Sequence, residues 1–298
     1  MRQGLRPTAA VVALCVLSVA GCEDLLLSKE TRQRIEAIKS AVRRDPAAVD
    51  APDEEGQPPL HRAVSDNYYS LQEWLLDRGA SPNGRNAKGE TALHVAVSAD
   101  HTKDRRTIRL LLRRGANPKL GREDGTTPLH VAAAYGTFLT LDALLEGGAD
   151  PGARTYQDDT PLHLAAAPQP DRTPEDCRVF VQELVARGGD PNARNVFGTA
   201  PLHRAAMVGH LPVVRALLDA GARVDLAGTG GATALHLAAV SGHAPVVAEL
   251  LVRGADRRRR DDDGRTALES ARARPAMFYD SRGSRPVDVA AVIALLSQ

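Results

Sequence analysis

Aromatic residues are scarce in this chain: Phe, Tyr and Trp together make up 3% of its 298 residues, with a single Trp. That shortage excludes a core assembled around large rings and leaves Ala, Leu and Val to fill the interior, side chains small enough for helices to pack closely. Cysteine is also rare, at three residues, which excludes a disulfide-stapled scaffold. No apolar run reaches the roughly 20 residues that an ordinary membrane-spanning helix needs. An excess of one charge is missing too: 38 basic side chains face 37 acidic ones, and Arg2 and Arg6 at the extreme start more than account for the net charge of +1. A surface balanced in this way argues against nucleic acid as the main partner. The motifs that carry chemistry are absent as well, with no G-x-S-x-G, no H-E-x-x-H, no phosphate-binding loop and no C-x-x-C pair. The chain offers no nucleophile beside a base, so the sequence predicts no enzyme, no cofactor, no metal site and no small-molecule substrate.

What is present begins with a distinct leader. Arg2 and Arg6 form a basic start, Ala9 to Ala20 is apolar apart from Ser18, and the stretch closes on "VAGC". Small residues ahead of Cys22, with Val19, Ala20 and Gly21 in the three preceding positions, resemble the lipobox of bacterial lipoproteins. The resemblance implies cleavage before Cys22 and lipid attachment at its thiol and new amino terminus. It therefore implies a membrane-anchored lipoprotein of the bacterial cell envelope, facing the periplasm. A plain secretory signal or an uncleaved anchor stays open as the alternative. The expected division is a signal peptide over 1–21, a short tether over 22–30 and one repeat domain over 31–298. Cys177 is then the remaining cysteine, and its spacing with Phe180, Val181 and Leu184 puts it on an apolar helical face.

The rest of the chain repeats itself. "TTPLHVAAAYG" at Thr126 has near copies in "ETALHVAVS", "DTPLHLAAA", "TAPLHRAAM" and "ATALHLAAV". The motif leucines are Leu60, Leu93, Leu129, Leu162, Leu202, Leu235 and Leu268, separated by 33, 36, 33, 40, 33 and 33 residues. A second feature keeps step: paired apolar residues, a short gap and a glycine, as in "LLDRGASP" and "LLEGGADP". Those glycines follow the motif leucine by 19 residues, except Gly115 at 22 and Gly188 at 26, so the surplus residues of the two long intervals fall inside the repeat, between its two helices. Thr91, Thr127, Thr160, Thr233 and Thr266 stand where a hydroxyl can cap a helix start, and Pro128 and Pro161 follow at the position that loses nothing by lacking N–H. The late glycine suits a left-handed residue ending the second helix. A glycine before most motifs (Gly56, Gly89, Gly125, Gly198, Gly231, Gly264) marks a tight tip, with Asp158 in that place once.

This pattern resembles the ankyrin repeat from about Thr31 to Gln298. The resemblance implies an all-α repeat solenoid, each unit a helix-turn-helix plus a β-hairpin or loop, with about seven repeats behind an N-terminal capping helix that carries Ile35, Ile38 and Val42. Ala200 and Pro58 depart from the capping threonine, and the last motif, "TALESA", has Glu269 where the others have histidine. A terminal unit has no successor to pack against, so a more polar version is expected there.

Six of nine histidines, His61, His94, His130, His163, His203 and His236, hold the same motif slot. Stacked repeats place equivalent atoms on the order of 10 Å apart, whereas zinc ligands must all lie within about 2.1 Å of one ion, so the six cannot share a metal. The ankyrin resemblance implies that each imidazole braces its own loop. Function is then left to residues that vary at the hairpin tips and on the short first helices, which in this family form a concave binding face. Tyr135, Tyr156, Phe197, Met207 and Val240 are the expected partner-binding residues, aromatic and methionine anchors being what interface centres favour. The run "RRRRDDDG", Arg257 to Gly264, is expected to neutralise itself across a tip. The expected function is a non-enzymatic protein-protein interaction module anchored to the cell envelope and binding a periplasmic protein. An immunity protein against a periplasm-acting toxin and a structural envelope tether are the alternatives.

Overall fold

Helices of five to nine residues are too short to persist alone in water, so the motif can form structure only by stacking. The computed structural model describes residues 28–98, 105–167, 173–273 and 289–297; the leader with Cys22, His101 and the segment around Pro286 lie outside the described residues. The first helix is α1 (Lys29–Arg44), followed by a 3₁₀ turn at Pro46–Val49. Seven inner helices carry the motif: α2 (Pro59–Ser65), α4 (Ala92–Ser98), α6 (Pro128–Tyr135), α8 (Pro161–Ala165), α10 (Pro201–Val208), α12 (Ala234–Val240) and α14 (Ala267–Arg272). Each is followed by an outer helix: α3 (Tyr69–Asp77), α5 (Arg106–Arg113), α7 (Phe138–Glu146), α9 (Pro174–Ala186), α11 (Leu211–Asp219), α13 (Ala244–Val252) and α15 (Ala290–Leu296). Each inner helix packs on its own outer helix and on the inner helix of the next unit. The expected all-α repeat solenoid is thus the observed architecture, with an extra leading helix.

The core runs along the stack. Leu60, Leu93, Leu129, Leu162, Leu202 and Leu235 are all buried, each worth about 1.5–3 kcal/mol of apolar burial. Leu268, in the last unit, is only half buried. In α1, Ile35 and Val42 are buried and Ile38 packs against the core, so this helix closes the front of the stack. It begins at Lys29, capped by the Ser28 hydroxyl, so the last two residues of the expected tether already belong to it. Cys177 is buried on α9 beside Phe180, Val181 and Leu184, as its spacing predicts.

The loops are as regular as the helices. The glycine after each outer helix from α3 to α13 has φ between +86° and +101°. A tight turn follows, as in Ala153 N to Asp150 O at 3.2 Å and Ala193 N to Asp190 O at 3.2 Å. The chain then runs out to a fingertip closed by backbone bonds such as Thr155 N to Asp159 O at 3.0 Å and Asn195 N to Thr199 O at 3.0 Å. Of the hairpin or loop expected, the fingers are loops, two of them with a single antiparallel bridge, Arg85 with Thr91 and Arg260 with Thr266. Asp158 takes φ +59° at its tip, so an aspartate adopts the left-handed conformation that the other tips give to glycine. The long interval of 40 is partly helical, since α9 has 13 residues where no other outer helix exceeds nine.

Candidate protein-binding face

The recurring histidine sits at the third position of each inner helix, the place an acidic residue holds in a capping box. Nδ1 of His94, His130 and His163 accepts the backbone N–H of its own Thr at 3.2, 3.2 and 3.1 Å and lies 2.9 Å from that threonine's hydroxyl. The hydroxyl therefore also serves the ring, within the capping box that the sequence suggested. With Nδ1 an acceptor, the network assigns the proton to Nε2, which donates to the next unit: His94 to Thr126 O at 2.9 Å, His130 to Asp159 O at 3.0 Å and His163 to Thr199 O at 2.9 Å. The bracing role holds, but it reaches beyond its own loop and locks each repeat to its successor. Burial pushes His61, His94, His130, His163 and His203 below the ordinary histidine value, His94 down to about 4. Neutral, buried and engaged at both nitrogens, His94, His130 and His163 are structural.

The expected binding residues lie on the opposite kind of ground. Tyr135 ends α6 and is 77% exposed; Tyr156 and Phe197 occupy consecutive fingertips at 78% and 57%; Met207 in α10 is 47% exposed. Val240, the last residue of α12, is half buried and contributes less surface. Val196, next to Phe197 and 56% exposed, belongs to the same tip, as its position one residue away could have signalled. Phe138 and Leu139 at the start of α7 are also exposed, Phe138 edge-on to Phe180 with ring centroids 6.4 Å apart.

Fingertips are joined to one another. Tyr156 N donates to Asp124 O at 2.9 Å, Val196 N to Gln157 O at 2.9 Å and Asp262 N to Gly230 O at 2.9 Å, while the Thr229 hydroxyl donates to Phe197 O. Five consecutive tips thus form one continuous row. Basic groups near the finger roots are folded inward: Arg85 Nη1 donates to Gly89 O at 2.6 Å, Arg194 Nε to Gly198 O at 3.1 Å, and Arg204 pairs with Asp159 at 3.4 Å. Against the upward pull of burial, the Thr126 amide and Arg122 hold the Asp124 carboxyl below its usual range. The "RRRRDDDG" run departs from its expected self-neutralisation. Arg260 is tied to Gly264 O and Glu269, Asp263 pairs with Arg265 at 3.5 Å, and among the described residues Arg257, Arg258 and Arg259 have no carboxylate partner.

Comparison with known proteins agrees with this geometry. The family described as ankyrin repeats (3 copies) matches residues 99–177 and 175–261, and ankyrin repeats (many copies) match 42–96. The chain is similar to a transient receptor potential cation channel subfamily A member 1 homolog of Caenorhabditis elegans, 37% identical over 62 residues, 21% of this chain and 5% of that one. It is similar to human Rabankyrin-5, 41% identical over 61 residues, 20% of this chain and 5% of that one. The chain thus spans only a small part of either curated relative. Among solved structures, the ankyrin repeat domain of Bcl-3 superposes with a TM-score of 0.66 at 30% identity, covering 82% of this chain and all of that one. The human ASB11 ankyrin repeat domain gives 0.64 at 25% identity, covering 81% and 97%.

Proposed function

The chain belongs to the ankyrin repeat family, and from that premise we propose that it is a non-enzymatic binding module whose protein partner docks on the fingertips and adjoining inner helices of the middle repeats. One observation carries the reading: in a chain with so few aromatics, Tyr135, Tyr156 and Phe197 stand out in solvent on successive units, where burial would have repaid them in the core. Backbone hydrogen bonds already join the tips of the free chain, which limits the ordering cost of association. Crosslinking in intact cells should capture a defined protein, and the double substitution Tyr156→Ala, Phe197→Ala should abolish capture. Because both side chains are exposed, the fold should change by no more than about 0.5 kcal/mol. Loss of capture together with loss of helical signal would mean that the two rings serve packing.

The site of action is proposed from the sequence of the leader. Cys22 carries lipid, the module faces the periplasm from the bacterial envelope, and its partner is a periplasmic protein. The support is the basic start, the short apolar stretch and the small residues before Cys22. Labelled palmitate should enter the chain, and Cys22→Ser should prevent labelling and shift the protein to the soluble fraction. Labelling that persists in Cys22→Ser would remove the assignment.

A further inference from the structure

We infer, resting on the docking face proposed above, that the partner presents an extended segment of about a dozen residues, apolar at its centre and basic at both ends. The composition of the row points to this. Its third finger carries Glu123 and Asp124, its fourth Tyr156 and an Asp158 paired with Arg154 at 3.9 Å, its fifth Val196 and Phe197, its sixth Thr229 and Gly230, and its seventh Asp262, beside an Asp263 paired with Arg265. An apolar centre is therefore flanked on both sides by carboxylates. The backbone bonds across the tips fix this order in space. Four steps of roughly 10 Å give a row of about 40 Å, the reach of about twelve extended residues.

The sign of the flanks follows from what the cations are doing. Arg122 is held by Glu90 at 2.6 Å, Arg62 by Asp53 at 2.7 Å and Glu55 at 2.9 Å, Arg204 by Asp159, and Arg194 by a backbone carbonyl. Glu123 and Asp262 are exposed, and neither carboxylate has an ion-pair partner among the described residues. Lys88 is on the second finger, whose Gly89 lies against Glu123 of the third. Arg257, Arg258 and Arg259, without a carboxylate partner among the described residues, belong to the turn at the base of the seventh finger, closed by Arg259 N and Asp256 O.

A displayed library of random peptides about twelve residues long can be selected on the immobilised full chain. Enriched peptides should carry Lys or Arg at both ends around an aromatic or aliphatic centre, and should weaken about tenfold on going from low to high salt. Glu123→Lys with Asp262→Lys should cost a further comparable factor, and Phe197→Ala should remove binding. Apolar peptides that depend on Phe197 but ignore the charge reversal would overturn the charge assignment and leave the face standing. Acidic peptides whose binding is lost on replacing Arg257 and Arg258 with Ala would overturn both and move the site to the turn. A library that enriches nothing would likewise overturn both.

Discussion

At the scale of single residues, the motif histidine performs two tasks that other side chains divide. Its Nδ1 side receives the start of its own helix; its Nε2–H holds the following loop. The last unit separates them: Thr266 N donates to Glu269 Oε2 at 2.7 Å and Glu269 N to Thr266 Oγ1 at 3.3 Å, an ordinary capping box with nothing to send forward. Ala200 keeps the first task, its N–H donating to His203 Nδ1 at 3.0 Å, but lacks the hydroxyl, a loss of about 1 kcal/mol. Pro58 has neither N–H nor hydroxyl, so His61 Nδ1 has no hydrogen-bond partner among the described residues. A pH dependence follows. The unfolded chain takes up protons on its histidines near pH 6.5, while in the folded chain burial holds His61, His94, His130, His163 and His203 below that value, His94 at about 4. Stability is therefore complete above about pH 6.5 and is lost as pH falls below it, for His94 down to about 4, by up to about 1.4 kcal/mol per pH unit for each of these five. Urea midpoints measured between neutral pH and about pH 5 should fall steadily; a flat profile would contradict neutral, buried rings.

At the scale of elements, the turn between paired helices in the sixth unit of the stack depends on a glycine of the fifth. Gly209 has φ +76°, and a Cβ there would lie 2.5 Å from His243 Nδ1, whose ring also donates through Nε2 to Met207 O at 3.1 Å. Gly209→Ala should cost about 2–3 kcal/mol in thermal unfolding, against about 1 kcal/mol for Gly254→Ala, where φ is +87° but the space is open; equal losses would show that the ring contact contributes nothing. Helix order, caps and the late glycines were legible because each depends on a local rule that recurs from unit to unit. The base turns were not. Asn83 accepts Asn117 N at 2.7 Å and donates to Gly115 O at 3.0 Å, and Asn192 does the same for Arg223 N at 2.7 Å and Gly221 O at 3.1 Å. Asparagine is common in any turn, so its reach into a neighbouring unit leaves no signature. The helical part of the 40-residue interval was hidden similarly: Thr173 and Asp176 form a capping box that moves the start of α9 upstream, whereas residue counting shows only a surplus.

At the scale of the whole molecule, stability is a sum over units and their interfaces. The outer side is held by ion pairs between successive units: Arg114 with Asp77 at 3.0 Å, Arg109 with Glu146 at 2.8 Å, Arg215 with Glu249 at 2.8 Å and Arg253 with Asp219 at 2.8 Å. An interior unit gains two neighbours and an end unit one, so hydrogen exchange should be slowest in α6 through α11 and faster toward α2 and α14; uniform protection would contradict a sum of neighbouring interfaces. Exposure on the candidate face was largely legible, since Tyr135, Tyr156, Phe197 and Met207 all emerge into solvent. Charge pairing was not, because sequence proximity in "RRRRDDDG" does not set which groups face each other. The forward-pointing imidazoles leave one further consequence. The stack has an arrow: each unit is completed by the one after it, and the Glu269 unit has no N–H to hand on. A duplicated unit spliced ahead of that final one would join the lattice, whereas the same unit appended behind it would meet a carboxylate and find no tie.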